Sequence, residues 1–190
     1  MTDDDDNRTM RERMLAGDPY IADDPELEEA MLTAQDLIAD YNRTTARQKP
    51  LRRSLLEQIV GSVGPDCEVR PPFQVDYGTH ITLGARVFAN FGLVALDVAT
   101  ITIGDDVQIG PGVQLLTPTH PIDPEQRRAK WEAARPITIG DNVWLGGGVV
   151  VCPGVTIGAN TVVGAGSVVV RDLPADVVAV GNPAKMVRKL

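Results

Sequence analysis

The clearest candidate for chemistry in this chain is His120, one of only two histidines among 190 residues, in the run Thr117-Pro118-Thr119-His120-Pro121. An imidazole titrates near neutral pH, so a histidine at a loop root can take a proton from an incoming hydroxyl and return it to a leaving group. The same segment carries Glu132, whose carboxylate is able to hold one imidazole tautomer. Asn90, in VFANFGLVALDV, is expected within reach of His120 across the same wall of the fold. His80, inside YGTHITLG, has no such companions and is assigned to packing or the surface. A lone histidine is more often structural than catalytic, so the case for His120 rests on what holds it.

What holds it is a period of six. Ile139, Leu145, Val151, Ile157, Val163 and Val169 recur at every sixth position, and Gly140, Gly146, Gly158 and Gly164 follow four of them. Helices repeat at about 3.6 residues and strands at 2. A sustained period of six marks a parallel β-helix, in which each unit makes a short strand and a corner and three units close one triangular coil. The aliphatic residue points into the prism, and glycine lets the chain turn without side-chain obstruction. Val143, Val149 and Val155 form a second inward row that continues with Thr161 and Ser167. Upstream, Leu83-Gly84, Ala89 and Ala95 hold one register, and Ile103-Gly104, Ile109-Gly110 and Leu115 resume after a shift of two residues. That shift predicts a bulge near Asp97–Ala99. Residues 117–135 carry almost none of the pattern and read as a loop thrown out from one corner. A β-sandwich would alternate with period two and would not keep this phase.

The prism spans 63–183 in this reading, with a helical cap over 8–62 and a basic tail at 184–190. Residues 1–7 read as a disordered acidic tail, since Asp3 to Asp6 contribute four of the carboxylates behind a net charge of −8. Asp24 suits an N-cap with Pro25 at the first helical position, and Leu27, Ala30, Met31, Ala34, Leu37, Ile38 and Tyr41 then share one face. A second helix is expected after Pro50, turning Leu51, Leu55, Leu56, Ile59 and Val60 inward and ending at Gly61. A short helix over Arg8–Ala16 would close at Gly17. These helices would cover the open end of the prism. The linker Asp18-Pro19-Tyr20 and Asp23 have no evident place in that cap and could reach a binding site.

Composition narrows the partners. No apolar run approaches the eighteen or so residues of a membrane span, and the acidic amino terminus is unlike a signal peptide. Cys67 and Cys152 make no metal or redox spacing, so a reducing cytoplasm is the simplest compartment. An acidic chain without a basic stripe is a poor nucleic-acid partner. Near the carboxyl terminus Arg171, Lys185, Arg188 and Lys189 face Asp172 and Asp176 in sequence. Charge alone fits a compact polyanion or a solvated tail equally.

The stretches PPFQVDYGTHITLG, FANFG, LDV, ITIGDDVQIGPGVQL, TPTHPID and RPITIGDNVWLGGGVVVCPGVTIGANTVVGAGSVVVRDLPADVVAVGNPAK, with the lead-in MLAGDPYIADDPEL, resemble the maltose and galactoside O-acetyltransferases. These are hexapeptide-repeat acyltransferases, and the likeness covers roughly residues 8–190. The resemblance implies a left-handed coil, against the usual right-handed crossover between parallel strands. It implies a homotrimer with each active site between neighbouring prisms. It also implies acetyl-CoA as donor, no metal, and a sugar hydroxyl as acceptor. By position, His120 matches the catalytic base and Asn90 the residue that stabilises the transition state beside the reacting hydroxyl. Asp23, Asp76 and Asp97 match acceptor-pocket positions. Trp144 matches the tryptophan along acetyl-CoA, and Gly147, Ala165 and Val170 match wall positions whose backbone meets the pantetheine arm. Arg171, Lys185 and Arg188 match basic positions near the coenzyme phosphates, which favours the polyanion reading of the carboxyl terminus.

The sequence also departs from the pattern. LEEAMLTAQDL contains no arginine where some relatives use one to hold the acceptor sugar, and Phe88 sits where aromatic residues vary. The acceptor therefore need not be maltose or a galactoside. An O-acetyltransferase of the same superfamily acting on an antibiotic, another xenobiotic alcohol or a lipo-oligosaccharide stays open, as does a non-catalytic β-helix assembly module. A prism-shaped carbonic anhydrase would need three histidines, and the chain has two.

Overall fold

The computed structural model describes residues 7–190, so the acidic segment Asp3–Asp6 lies outside the described residues. From Ser62 the chain winds through about six turns of a left-handed parallel β-helix, laying one short strand on each of three walls per turn. The first wall stacks Ser62–Val63, Ile81–Leu83, Ile101–Ile103, Ile137–Ile139 and Thr156–Ile157. The second stacks Glu68–Val69, Phe88–Ala89, Gln108–Ile109, Trp144–Leu145, Val162–Val163 and Val177–Val180. The third stacks Phe73–Val75, Leu93–Leu96, Gln114–Leu116, Val150–Val151 and Val168–Val169.

The six-residue period sets this register. Ile81, Ile101 and Ile137 pair directly in successive coils, and Leu145, Val151, Ile157, Val163 and Val169 are completely buried. The second inward row is buried too, including its polar members. Thr161 Oγ1 donates to the carbonyl of Pro174 at 2.7 Å, and Ser167 Oγ donates to the carbonyl of Gly164 at 2.6 Å, so neither hydroxyl is left without a partner. The corners stack as closely as the walls. A Cβ on Gly146 would stand 2.5 Å from the amide nitrogen of Ala165 in the next coil, which only glycine avoids.

The bulge expected near Asp97–Ala99 is present, and a second one lies beneath it. Leu83 follows Val75 by eight positions and Ile103 follows Ala95 by eight, where Ile157 follows Val151 by six. Both insertions fall between the third and first walls. The segment beginning at Thr117 leaves from that same corner one coil further on. Asp97 ties the corner together. It is completely buried, and its carboxylate accepts from the backbone N–H groups of Asp76 at 3.1 Å, Tyr77 at 2.9 Å and His80 at 3.1 Å. His80 Nδ1 meets the Asp97 carbonyl at 2.6 Å, which makes His80 part of the same joint.

Three helices precede the prism. α1 (Met10–Ala16) opens on a capping box between Thr9 and Glu12 and closes at Gly17, whose φ of +78° suits glycine. α2 (Pro25–Asn42) is N-capped by Asp24, whose side chain accepts from Glu26 and Leu27. Leu27, Ala34, Ile38 and Tyr41 are buried, but Ala30 and Met31 are exposed. The apolar stripe is narrower than the spacing predicted because the first half of α2 borders a cavity instead of the prism. The second half plugs the prism floor. Tyr41 packs edge-on to Phe73 with ring centres 6.1 Å apart and donates its hydroxyl to the carbonyl of Val69 at 2.5 Å. Asn42 donates to the carbonyl of Phe73 and accepts from its N–H. The lowest strands therefore meet polar partners where an open edge would be.

In α3 (Lys49–Ile59), Leu51 is 47% exposed where the spacing turned it inward, and Arg52 is only 8% exposed. The Arg52 guanidinium donates to Thr44 Oγ1 and to the carbonyl of Thr45, so it fastens the turn between α2 and α3. The other correction lies at the carboxyl end. Residues expected as a basic tail form the strand Lys185–Lys189, antiparallel to Val177–Val180. Backbone pairing is indifferent to exposed Lys and Arg side chains, so charge alone hid it. No helix among the described residues is long and apolar enough to cross a membrane.

Asp97→Ala removes the acceptor for three corner N–H groups, and each hydrogen bond to a charged group contributes about 1.5–3 kcal/mol. The variant is expected to lose roughly 3 kcal/mol or more in urea unfolding, and Asp97→Asn, which keeps one oxygen, distinctly less. A loss below about 0.5 kcal/mol for Asp97→Ala would exclude this account of the corner.

Candidate active site

Thr117 is the last prism residue before the chain leaves the third wall. It is completely buried. Its Oγ1 donates to the carbonyl of Leu96 at 2.7 Å and accepts from Ala99 at 3.0 Å, anchoring the departing segment on the Asp97 coil. Beyond Thr117 the chain is more ordered than an irregular loop. Pro118–Thr119 pairs antiparallel with Trp131–Ala134, and Tyr20–Ile21 pairs along the other side of that strand. A short helix, α4 (Pro124–Arg128), caps the excursion with Asp123 at its N-cap. Strands of two to four residues carry no readable periodicity, so neither the hairpin nor its third strand was legible. Tyr20 and Ile21, in the linker that had no evident place in the cap, form that third strand.

His120 stands at the end of this hairpin with its side chain 58% exposed, and its Nδ1 lies 3.7 Å from Glu132 Oε1. The second oxygen of Glu132 accepts a hydrogen bond from the Tyr20 hydroxyl at 2.8 Å. Burial, and then the Glu132 carboxylate, push the Tyr20 hydroxyl far above its ordinary range, so it stays a donor. Tyr20 thus fixes the carboxylate that faces the imidazole. Sequence reasoning did not assign Tyr20 this part.

A cavity of about 690 Å³ opens beside His120, bordered by the start of α2, the Asp76 corner and the hairpin. Asp23, Asp76, His120 and Glu132 all line it, together with Tyr20, Tyr77 and the apolar Leu27 and Val98. Asp23 pairs with Lys130 Nζ at 2.5 Å across the mouth. Asp76 has its backbone held by Asp97, but its carboxylate has no hydrogen-bond or ion-pair partner among the described residues. Burial, then the negative charges of Asp97 and Glu132, raise that carboxyl to about 6. Tyr77 is pushed up to about 12 by burial and then by Asp76 and Glu132. Asp97, expected on the pocket wall, is not there. Its carboxylate is fully buried and occupied by three N–H groups, so it positions Asp76 and Tyr77 from behind.

A second cavity, of about 430 Å³, follows the opposite edge of the third wall. Asn90, Trp144, Gly147 and Ala165 line it with Phe88 and Gly164. Trp144 is 55% exposed, between Gln108 and Val162 on the outer face of the second wall. The N–H groups of Gly147 and Ala165 make no hydrogen bond among the described residues, which leaves two donors on successive coils of this groove. Asn90 Oδ1 accepts from the N–H of Phe91 at 2.9 Å, and Arg70 stacks over both Phe88 and Phe91. At the upper end, Lys185 pairs with Val180 and Arg188 with Val178, both exposed.

The expectation that Asn90 lies within reach of His120 across the same wall does not hold within a single chain. Asn90 precedes the third-wall strand Leu93–Leu96, and His120 follows the next one, Gln114–Leu116. Four strand residues alone separate the two edges by roughly 13 Å at about 3.3 Å each. Val170 and Arg171 likewise follow Val168–Val169 and lie on the His120 edge, apart from Lys185 and Arg188. The predicted residues thus form two groups on two edges. Among the described residues, no three His, Cys, Asp or Glu side chains gather as metal ligands would.

A capped hexapeptide coil with an imidazole-bearing excursion defines a hexapeptide-repeat acyltransferase. Residues 13–64 match the maltose acetyltransferase hexapeptide capping motif, and residues 136–171 match the bacterial transferase hexapeptide of six repeats. The chain is 48% identical to nodulation protein L of Rhizobium meliloti, covering 94% of this chain and 98% of that protein. It is 40% identical to the galactoside O-acetyltransferase of Escherichia coli, over 97% and 91% of the two chains. Among solved structures, a maltose O-acetyltransferase from Clostridium difficile superposes with a TM-score of 0.95 at 43% identity, over 96% and 98% of the two chains. A galactoside acetyltransferase in complex with coenzyme A gives 0.93 at 40% identity, over 96% and 92%. This chain belongs to the maltose and galactoside O-acetyltransferase family.

The raised Asp76 carboxyl makes a stability prediction. A folded value near 6 against an ordinary 3.8 means that the native state binds the proton more tightly. Its destabilising effect is therefore absent below about pH 4, grows as pH rises through 6 and is complete above it. Asp76→Asn should raise the melting temperature at pH 8 and change it little near pH 4, with a benefit at most about 3 kcal/mol. Equal shifts at the two pH values would contradict this.

Proposed function

We propose that the chain transfers the acetyl group of acetyl-CoA to a sugar hydroxyl, with His120 as general base. The observation that carries this reading is the Tyr20–Glu132–His120 series at the rim of the larger cavity. With Nδ1 turned toward Glu132, Nε2 is the nitrogen left for an acceptor hydroxyl. His120 takes the hydroxyl proton as the oxygen bonds to the acetyl carbon, and delivers it to sulfur as the carbon–sulfur bond breaks. A hydroxyl is scarcely ionised at neutral pH, so this help contributes on the order of 10²–10⁴-fold. A thioester already has a good leaving group and needs no covalent enzyme intermediate. A relative from Vibrio cholerae, 39% identical with a TM-score of 0.89, is complexed with acetyl coenzyme A.

The smaller groove suits a pantetheine arm, since the unpaired N–H groups of Gly147 and Ala165 are donors for its amide carbonyls and Trp144 gives an apolar flank. Val170 and Arg171 on one edge, and Lys185 and Arg188 on the other, are assigned to the same coenzyme. Because one chain keeps these groups on two edges, the working unit is a homotrimer, in which the His120 edge of one copy meets the Asn90 edge of the next. Asn90 then supplies its amide to the developing oxyanion, a kind of contact worth about 10²–10³ in rate. Acceptor contacts fall to Asp23 and Asp76. Both cysteines are unpaired, in keeping with a reducing cytoplasm.

His120→Ala is expected to lower kcat/KM by about 10²–10⁴ in an acetyl-CoA-dependent thiol-release assay, with the sedimentation coefficient unchanged. Near-normal turnover by that variant removes the proposed base. Arg171→Glu should weaken acetyl-CoA binding by about tenfold or more in titration calorimetry, the scale of one charge-assisted hydrogen bond. Unaltered affinity would detach Arg171 from the coenzyme.

A further inference from the structure

The corner between the second and third walls carries a column of aligned residues. Val69 pairs with Ala89, Ala89 with Ile109, Ile109 with Leu145 and Leu145 with Val163. The residues that follow them, Arg70, Asn90, Gly110, Gly146 and Gly164, therefore stand one above another. The three glycines line the smaller groove. Only the two lowest positions of the five bear side chains. Asn90 closes the lower end of the groove, and Arg70 lies one coil beneath it, about 4.8 Å down by the spacing of neighbouring strands.

The Asn90 amide is fixed by a single local bond. Its Oδ1 accepts from the N–H of Phe91 at 2.9 Å, which leaves Nδ2 without an acceptor among the described residues. The torsion that turns an asparagine amide is broad, so the aim of Nδ2 depends on where the chain places that N–H. The Phe91 ring is 53% exposed, so the prism does not pack it. Arg70 holds it instead. Its guanidinium carbon lies 5.0 Å from the Phe88 ring centre and 5.2 Å from that of Phe91, so one planar cation spans the two rings that flank Asn90. Glu68 lies 3.6 Å from Arg70 Nε and 3.7 Å from Lys49 Nζ, which ties the guanidinium back toward α3.

We infer that Arg70 is a positioning residue: by clasping Phe88 and Phe91 it holds the turn that aims the Asn90 amide at the reacting end of the groove. This rests on the acetyltransferase reading, in which Asn90 donates to the developing oxyanion, and it adds a residue that lines neither cavity. A donor of this kind works by being in place before charge develops, so any freedom of the amide to swing reduces its effect. The consequence falls on kcat. Ground-state acetyl-CoA carries no oxyanion, so its binding does not depend on the aim of Nδ2. A guanidinium acting by its charge alone would help the oxyanion with or without the amide.

The test is a mutant cycle on the intact protein, reading acetyl-CoA-dependent thiol release with maltose, glucosamine and methyl galactoside as acceptors. Arg70→Ala is expected to lower kcat by about tenfold, short of the roughly 10²–10³ that follows loss of the donor itself in Asn90→Ala. Acetyl-CoA affinity in titration calorimetry should stay within about twofold, and Arg70→Lys, which keeps a cation over the rings, should recover most of the loss. In the Asn90→Ala background Arg70→Ala should cost nothing further, because the group it positions is gone. An unchanged kcat in Arg70→Ala, a loss carried by acetyl-CoA affinity, no recovery in Arg70→Lys, or the same loss added to that of Asn90→Ala overturns the positioning role and leaves the acetyltransferase standing. Near-normal turnover by Asn90→Ala overturns the part given to Asn90, and this inference with it. No thiol release by the unaltered protein with any of the three sugars overturns the sugar acetyltransferase reading as well.

Discussion

The stacking of identical coil corners at a six-residue pitch is the constraint on which the rest of this molecule depends. Interior wall strands hydrogen-bond in register to the coils above and below, and corners such as that at Gly146 leave no room for a side chain. A prism built this way has little freedom to shape a cavity from its own regular coils. The larger cavity comes from places where the period breaks, and the breaks are confined to one corner. Two insertions bring Asp76 and Asp97 there, and the third departure from that corner carries His120. Asp97 and Thr117 convert these irregularities into a fixed platform, since one accepts three N–H groups and the other bonds to the coil beneath.

The same platform explains the electrostatics. Carboxylates crowd the cavity because they serve different elements. Asp97 belongs to the corner, Glu132 to the hairpin and Asp23 to the linker before α2, and each has its own partner. Asp76 has no such partner among the described residues, and burial, followed by the charges of Asp97 and Glu132, raises its carboxyl. A neutral Asp76 is a donor as well as an acceptor, whereas a charged one strongly favours a cation.

Legibility followed physical range. The wall register, the inward rows and the caps of α1 and α2 are set by neighbours close in sequence, so Ile139 to Val169, Asp24 and Gly17 could be read directly. The bulge at Asp97 showed as a phase shift, although the twin below it, between Val75 and Ile81, did not. The hairpin behind His120 was hidden because its strands are two to four residues long and its third strand comes from Tyr20–Ile21, more than a hundred residues away. Arg52 illustrates the same limit: its burial is decided by carbonyl and hydroxyl partners in the preceding turn, which hydrophobic spacing does not encode. Asn90 and His120 were both visible as candidates, but their placement on two edges of a wall depends on where in the coil each falls.

That separation is itself informative about how such a prism can work. A flat wall offers edges and a face, and a single wall cannot enclose a reacting centre. The His120 edge provides an imidazole and a carboxylate-lined cavity; the Asn90 edge provides amide donors and an exposed indole. Neither set alone would support the proposed acyl transfer, since a hydroxyl without a held thioester has nothing to attack, and a held thioester without a base meets an un-ionised hydroxyl. A closed ring of three copies puts every His120 edge beside an Asn90 edge with no edge left over, whereas a twofold contact would pair like with like. The half-site on each edge is therefore a stronger argument for a cyclic assembly than any exposed apolar residue. On the proposed trimer, activity depends on assembly: whatever loosens the joint between copies should lower acetyl transfer before it disturbs the fold of one prism.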